Sequence, residues 1–256
     1  MEIDEHKYFF FDLDKTLWNW DEDIIGAVDL IDSLREADKQ VYFHTDNSLL
    51  SREAYARKLN EMNIEAEKED ILTAGYVAGE YLNQKSQTST YVIGESGLIE
   101  ELDEKDIEVK EKSDTLVVGF DRQFNYRKAE KAMKILQNGG EAVLCSSEKT
   151  FRTTKKKMPH QGMFNQAFRE MGETKLIGKP SEFYQNVFQD YFSYFPDASM
   201  FIGDRLEDME TGNNLGMTTV AVMSGDMDRE MLKKADEIQK PDFGLSNLSR
   251  LKRKIL

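Results

Sequence analysis

Apolar runs that end in small polar or acidic residues recur along this chain. Tyr8-Phe9-Phe10-Phe11 leads into Asp12-Leu13-Asp14-Lys15-Thr16, and Val41-Tyr42-Phe43 leads into His44-Thr45-Asp46-Asn47-Ser48. Met200-Phe201-Ile202 leads in the same way into Gly203-Asp204-Arg205-Leu206-Glu207-Asp208. Runs of this length read as buried strands, so each polar cluster falls at the carboxyl end of a strand. Between them the apolar spacing becomes helical. Ile24, Ala27, Val28, Ile31 and Leu34 form one stripe, and residues 51–62 read as a second helix. Later, 198–202 and 218–222 read as strands with 208–215 helical between them, and apolar residues at 245, 248, 251 and 255 predict a closing helix. This alternation predicts an α/β fold, a mainly parallel sheet with helices on both faces.

The spacing of the clusters also predicts a second unit. Asp14 to Thr45 leaves room for one crossover, whereas Thr45 and Lys179 lie 134 residues apart. That interval holds β-type runs at 90–93, 115–119 and 141–145 and a helical pattern at 126–136. An α/β insertion over about 79–173 is therefore expected, with 1–78 and 174–256 forming one discontinuous core domain.

Composition narrows the function classes. A hydrophobic fraction of 39% suits a globular core, and a net charge of −14 argues against nonspecific nucleic-acid binding. One cysteine, Cys145, precludes an intrachain disulfide and fits a reducing compartment. The Met1-Glu2-Ile3-Asp4-Glu5 start has no signal pattern, and no run approaches the ~20 apolar residues of a membrane span. A soluble cytoplasmic protein with no membrane partner is expected.

The polar clusters carry the chemistry. Open α/β sheets bind ligands at the carboxyl edge of their strands. Asp12 and Asp14 placed there repel each other unless a cation lies between them, which suggests Mg²⁺; the lesser alternative, taken alone, is an acidic turn that caps a helix. The hydroxyl and amide groups of residues 45–48 suit an oxyanion. Ile177-Gly178-Lys179-Pro180-Ser181 adds a lone lysine, with a proline expected to help start a helix. Each cluster is weak evidence alone, and their order makes them strong.

In that order they resemble the haloacid dehalogenase (HAD) superfamily, and more closely its subfamily IIA, the p-nitrophenylphosphatase/NagD-like phosphatases. The resemblance spans nearly the whole chain, including Tyr91-Val92-Ile93-Gly94-Glu95-Ser96-Gly97-Leu98 and Val118-Gly119-Phe120-Asp121-Arg122. It implies a Rossmann-like HAD core with an inserted C2-type α/β cap. It also implies a Mg²⁺-dependent phosphatase acting on a small phosphorylated metabolite, with Asp12 as nucleophile and Asp14 as general acid and base. Thr45, Asn47 and Lys179 would bind phosphate, and Asp12, the Asp14 backbone carbonyl and Asp204 would hold the metal. Asp208 would orient ligand water or Lys179, or simply begin a helix.

By the same resemblance Arg122 and Arg152 of the cap would meet the substrate, and two chains would pair through the cap. Lys15 is expected to face away from the site and Thr16 to stabilise the loop. His44 and His160 have no metal-ligand spacing and read as structural or surface residues, while Trp18 stands out among the aromatics by its closeness to Asp14. The cationic segment 146–157 could attract a second anionic group or could be a solvated loop. Two departures from the family pattern matter: Thr45-Asp46-Asn47 replaces the frequent Thr-Asn-Asn, and Asp204 and Asp208 are one residue closer than in close relatives. A phosphotransferase or mutase would use the same groups, and a noncatalytic phosphometabolite-binding protein would not need the nucleophile.

Overall fold

The computed structural model describes residues 5–19, 22–153 and 156–255. The chain opens with β1 (Tyr8–Asp12), a small hairpin of β2 (Trp18–Asn19) and β3 (Glu22–Asp23), α1 (Ala27–Glu36), β4 (Gln40–Thr45), α2 (Arg52–Glu61), β5 (Ile71–Thr73) and α3 (Ala74–Gln84). A middle stretch follows with β6 (Ser89–Ile93), α4 (Ser96–Asp103), β7 (Glu108–Val109), β8 (Thr115–Val118), α5 (Tyr126–Gln137) and β9 (Glu141–Leu144). It continues through the hairpin β10 (Thr150–Arg152) and β11 (Lys157–Pro159) to α6 (Gly162–Met171) and β12 (Glu173–Leu176). The chain then returns with α7 (Glu182–Tyr191), β13 (Ser199–Gly203), α8 (Leu206–Asn214), β14 (Thr218–Val222), α9 (Arg229–Lys234), β15 (Phe243–Leu245) and α10 (Leu248–Ile255).

Helices form where stripe and cap agree. α1 buries Ala27, Leu30, Ile31 and Leu34, the face its spacing predicts. Ser51, Thr73, Asn125 and Ser181 each accept a main-chain N–H in the first turn of α2, α3, α5 and α7. Pro180 precedes the Ser181 cap, so the serine and not the proline starts α7.

Two parallel sheets result. One has the order β15-β14-β13-β1-β4-β5, and the other the order β12-β9-β8-β6-β7. β1 lies inside the first sheet, with Phe11 opposite Ile202 of β13 and Asp12 opposite His44 of β4. Its run is apolar throughout because both faces are covered. Phe9 and Phe11 join the cluster under α1, α2 and α10, whereas Phe10 packs against Phe188 of α7 at 4.9 Å between centroids. Each fully buried Phe contributes about 2 kcal/mol of transfer free energy.

The second sheet shares that latter cluster. Val92, Val117 and Val143 pack with Phe10, Val77, Leu82 and Phe188 in one continuous core, and Cys145, just after β9, is buried in it. Burial raises the Cys145 thiol pKa. The other face of the second sheet packs Ile93, Val118 and Leu144 against Phe168 of α6. Polar ties reinforce the seam: Arg52 of α2 bonds Glu101 of α4 at 2.9 Å, Glu104 at 2.8 Å and the Tyr191 hydroxyl at 3.1 Å. Among the described residues no helix is long and apolar enough to cross a membrane.

Candidate active site

β1, β4 and β13 are neighbours, and each ends in polar residues at one edge of the sheet. Asp12 is the last residue of β1, Thr45 the last of β4, and Asp204 follows β13 directly. Lys179 reaches the same edge from the turn between β12 and α7. Its buried ammonium donates to Asp12 Oδ1 at 2.6 Å and to Asp208 Oδ1 at 2.5 Å, and lies 3.4 Å from His44 Nδ1.

Asp14 arrives by a turn. β1 stops at Asp12, Lys15 adopts φ 63° and its N–H bonds the Trp18 carbonyl, so strand alternation does not continue to residues 14 and 15. Both Asp14 carboxylate oxygens are held: Trp18 Nε1 donates to Oδ1 at 2.9 Å and Asn47 Nδ2 to Oδ2 at 2.9 Å. Trp18 is 1% exposed and stacks on Tyr55, so it positions Asp14 and has no free face for substrate. Lys15, expected to face away, turns inward and pairs with Asp226. Thr45 Oγ1 accepts the Asn47 N–H at 3.0 Å, which leaves its own proton available to a ligand. The Asn47 side chain is spent on Asp14 and on the Leu49 N–H. Thr16 is wholly buried.

Asp204 is wholly buried. Its Oδ2 accepts the Asp226 N–H at 2.6 Å, and its Oδ1 has no partner among the described residues. A Cβ on Gly225 would lie 2.1 Å from Asp204 Oδ2, so only glycine lets that loop pass so close. Asp208 takes both roles left open by the sequence: Oδ1 holds Lys179, while Oδ2 accepts the Arg205 N–H at 3.1 Å in the first turn of α8.

Asp12 and Asp208 thus share one buried ammonium, and Asp204 lies at the same edge without a contact to it. Burial, against the opposing pull of Lys179, raises the Asp12 carboxyl well above its usual range, and Asp208 and Asp204 add to the rise. Burial likewise pushes Asp204 up to about 7. Burial pulls Lys179 down, but Asp12 and then Asp208 outweigh it and hold the ammonium firmly protonated. All three shifts are those of a site with surplus negative charge, which a cation beside the unpartnered Asp204 oxygen would relieve. An all-carboxylate donor set with no sulfur suits a hard cation such as Mg²⁺. Asp12, His44 and Asp208 also converge, with one possible ligand atom each within 4.8 Å of the others. Lys179 Nζ already bonds all three, so that triad is a lysine site.

His44, which its spacing marks only as a structural or surface residue, lies at the site. It is wholly buried, stacks on Phe201 at 4.1 Å, and touches the lysine that holds Asp12. Its register opposite Asp12 was the available signal. Asp46, the departure from the family pattern, accepts the Ser146 hydroxyl at 2.6 Å and so ties β4 to the turn after β9. Arg205 donates to Glu148 at 2.7 Å, to Asp226 at 2.9 Å and to the Thr150 carbonyl at 3.1 Å, clasping the two sheets.

Across the edge, Asp14, Lys15 and Asn47 face Phe120, Phe151 and His160 over a cleft of about 20 Å³. His160 is 3% exposed and lies flat on the Phe120 ring, a buried residue at the cleft. Arg122 is not in that cleft; its guanidinium forks onto Glu95 at 2.8 and 2.6 Å. Arg152 lies on β10, and its side chain falls outside the described residues. Lys149, Lys156 and Lys157 are exposed.

Two family models match this chain, one described as haloacid dehalogenase-like hydrolase over residues 9–108 and one as HAD-hydrolase-like over residues 176–251. Phosphoglycolate phosphatase 1A, chloroplastic, of Arabidopsis thaliana is 29% identical over 277 residues, covering 96% of this chain and 76% of the relative. The 4-nitrophenylphosphatase of Schizosaccharomyces pombe is 27% identical over 281 residues, covering 97% and 94%. The crystal structure of 4-nitrophenylphosphatase from Thermotoga maritima superposes with a TM-score of 0.89 at 26% identity, covering 99% of each chain. With the edge geometry, these likenesses place the chain in the haloacid dehalogenase-like hydrolases, beside the 4-nitrophenylphosphatases among its relatives.

Proposed function

We propose that the chain hydrolyses a small phosphomonoester with Mg²⁺ through an aspartyl-phosphate on Asp12. The observation that carries this reading is the buried Asp12–Lys179 contact of 2.6 Å at the carboxyl edge of a parallel sheet. An Asp12 oxygen attacks phosphorus while the bond to the leaving oxygen breaks, and the Asp14 carboxyl gives that oxygen its proton. Asp14 then takes a proton from water, which attacks the same phosphorus and frees phosphate and Asp12. Trp18 and Asn47 fix the Asp14 carboxylate for both steps. The Thr45 hydroxyl and the Lys179 ammonium hold the phosphoryl oxygens. Asp12, the Asp14 carbonyl and Asp204 would hold Mg²⁺, which when bound neutralises charge on the carboxylates and the phosphoryl group. The inserted α/β unit serves as the cap that excludes water, with pairing of two chains through it; the expected bounds of 79 and 173 shift, because α3 is one helix across residue 79 and the second sheet runs to Leu176 of β12. The lone, buried cysteine supports a cytoplasmic setting.

Relatives are named phosphoglycolate phosphatase, acid sugar phosphatase and 5′-nucleotidase, which supports a small soluble ester. The test is phosphate release from a panel of such esters with Mg²⁺ or EDTA. Asp12→Asn is expected to lower release at least about a thousandfold, and EDTA to abolish it. An Asp12→Asn enzyme as active as the wild type would overturn the aspartyl-phosphate route.

A further inference from the structure

Beyond the cleft lies a second cavity of about 220 Å³. Its walls are Ile93 and Val118 from the second sheet, Phe124, Phe164 and Phe168 from around α5 and α6, and Met158 from the β10–β11 hairpin. Phe120, Phe151 and His160 line both this cavity and the catalytic cleft. Phe120 lies flat on His160 at 4.6 Å and 6°, and Phe151 meets Phe120 edge-on at 5.4 Å. One layer of rings therefore separates the two spaces. The pocket is partly open to solvent, with exposed Arg122 and Pro159 on its rim, and its lining is mostly apolar.

We propose that this cavity is a leaving-group chamber, entered past Phe120, Phe151 and His160, that takes an uncharged, ring-sized apolar substituent of the phosphate ester. The proposal rests on the phosphatase reading above and adds the class of substrate. Size sets one bound: a cavity of about 150 Å³ holds benzene, so this one holds a single substituted ring. Charge sets another. Asp121 and Arg122 line the cavity, and each is paired, Asp121 with Lys128 and Arg122 with Glu95, so the one cation of the described lining already has a carboxylate partner when a second phosphate or a carboxylate would arrive. Polar contact is nevertheless provided for. His160 Nδ1 and Gln161 Oε1 have no partner among the described residues, and both side chains belong to residues 3% exposed that line the chamber. Burial lowers the His160 pKa to about 4, so its ring is neutral at pH 7. A hydroxyl on the substituent, which both donates and accepts, would satisfy these atoms; an ionic group would be buried there without a counter-charge.

The test compares kcat/KM for ethyl phosphate, 2-phenylethyl phosphate and 2-(4-carboxyphenyl)ethyl phosphate. Their leaving alcohols are similar in acidity, so differences report binding of the tail. The phenylethyl ester is expected to exceed ethyl phosphate by about tenfold or more, and the carboxylated ester to lose that advantage. Phe164→Trp fills the chamber and should bring the phenylethyl-to-ethyl ratio near one, the ratio being taken within each protein so that a general loss cancels. Equal turnover of the three esters by the wild type overturns the chamber and leaves the phosphatase intact, as does an unchanged ratio in a folded Phe164→Trp protein. If that variant does not fold, the wild-type comparison of charged and uncharged tails decides. Release from none of the three overturns the chamber, and it extends to the phosphatase reading only if 4-nitrophenyl phosphate is inert as well.

Discussion

Asp14 shows how much of this site is set by neighbours. As the proposed general acid it must meet the leaving oxygen within a few tenths of an ångström, and both of its oxygens are fixed by N–H donors from Trp18 and Asn47. Trp18→Phe keeps the stacked ring and removes one donor, so kcat should fall about 10–100-fold with little change in KM. Steady-state kinetics on one ester checks this, and an unchanged kcat would mean that Asn47 suffices. His160 carries a pH signature. Its folded pKa of about 4 lies below the ordinary 6.5, mainly through burial. Its contribution to stability is therefore complete above pH 6.5 and is lost as pH falls through 4. Between pH 7 and 4.5 the wild type should lose about 2 kcal/mol more than His160→Phe in urea unfolding. Equal losses in the two proteins would mean that the ring is not buried neutral. The carboxylates and Lys179 were legible because each follows an apolar run or a distinctive turn. The placements of Lys15 and His44 and the job of Trp18, marked only by its closeness to Asp14, were not, because the turn after Asp12 and the register of β1 on β4 decide where they point.

Elements were legible in proportion to the clarity of their stripe. α1, α2, α5, α8 and α10 have one apolar face and were read from spacing. α3 was not. It buries Ala74, Gly75, Val77, Ala78, Gly79, Tyr81 and Leu82 around most of its circumference, which blurs any period. α4 was missed too, being short and set by its contact with the other unit. Gly97 in its first turn is pressed on the backbone of the loop before α2, where a Cβ would come within 2.3 Å of the Leu50 carbonyl carbon and 2.5 Å of the Ser51 nitrogen. Both neighbours are main chain and cannot swing aside. Gly97→Ala should therefore cost about 3 kcal/mol in denaturant melts, despite the better helix propensity of alanine. A cost below about 0.5 kcal/mol would show that the two units can part there without penalty.

At the scale of the molecule, the long interval between Thr45 and Lys179 raises the expectation of an inserted unit, but no periodicity says how it would sit. The structure answers with a shared apolar cluster running from Phe10 of the first sheet to Val143 and Cys145 of the second. Whole-body coupling of this kind comes from packing between residues far apart in sequence, which local patterns do not encode. It gives the single thiol an unplanned use. Cys145 sits in that seam, with its N–H bonded to the Val118 carbonyl at 2.9 Å and its own carbonyl so close to Gly178 that a Cβ there would stand 2.0 Å away. A thiol-labelling reagent can reach it only after the seam comes apart, and a raised pKa slows the reaction further. The chain thus carries its own stopwatch: Ellman's reagent should modify it at the rate of global unfolding, independent of reagent concentration once that is high. Modification proportional to reagent throughout would instead time a local breathing of β9, and would mark the seam as the first part of the molecule to yield.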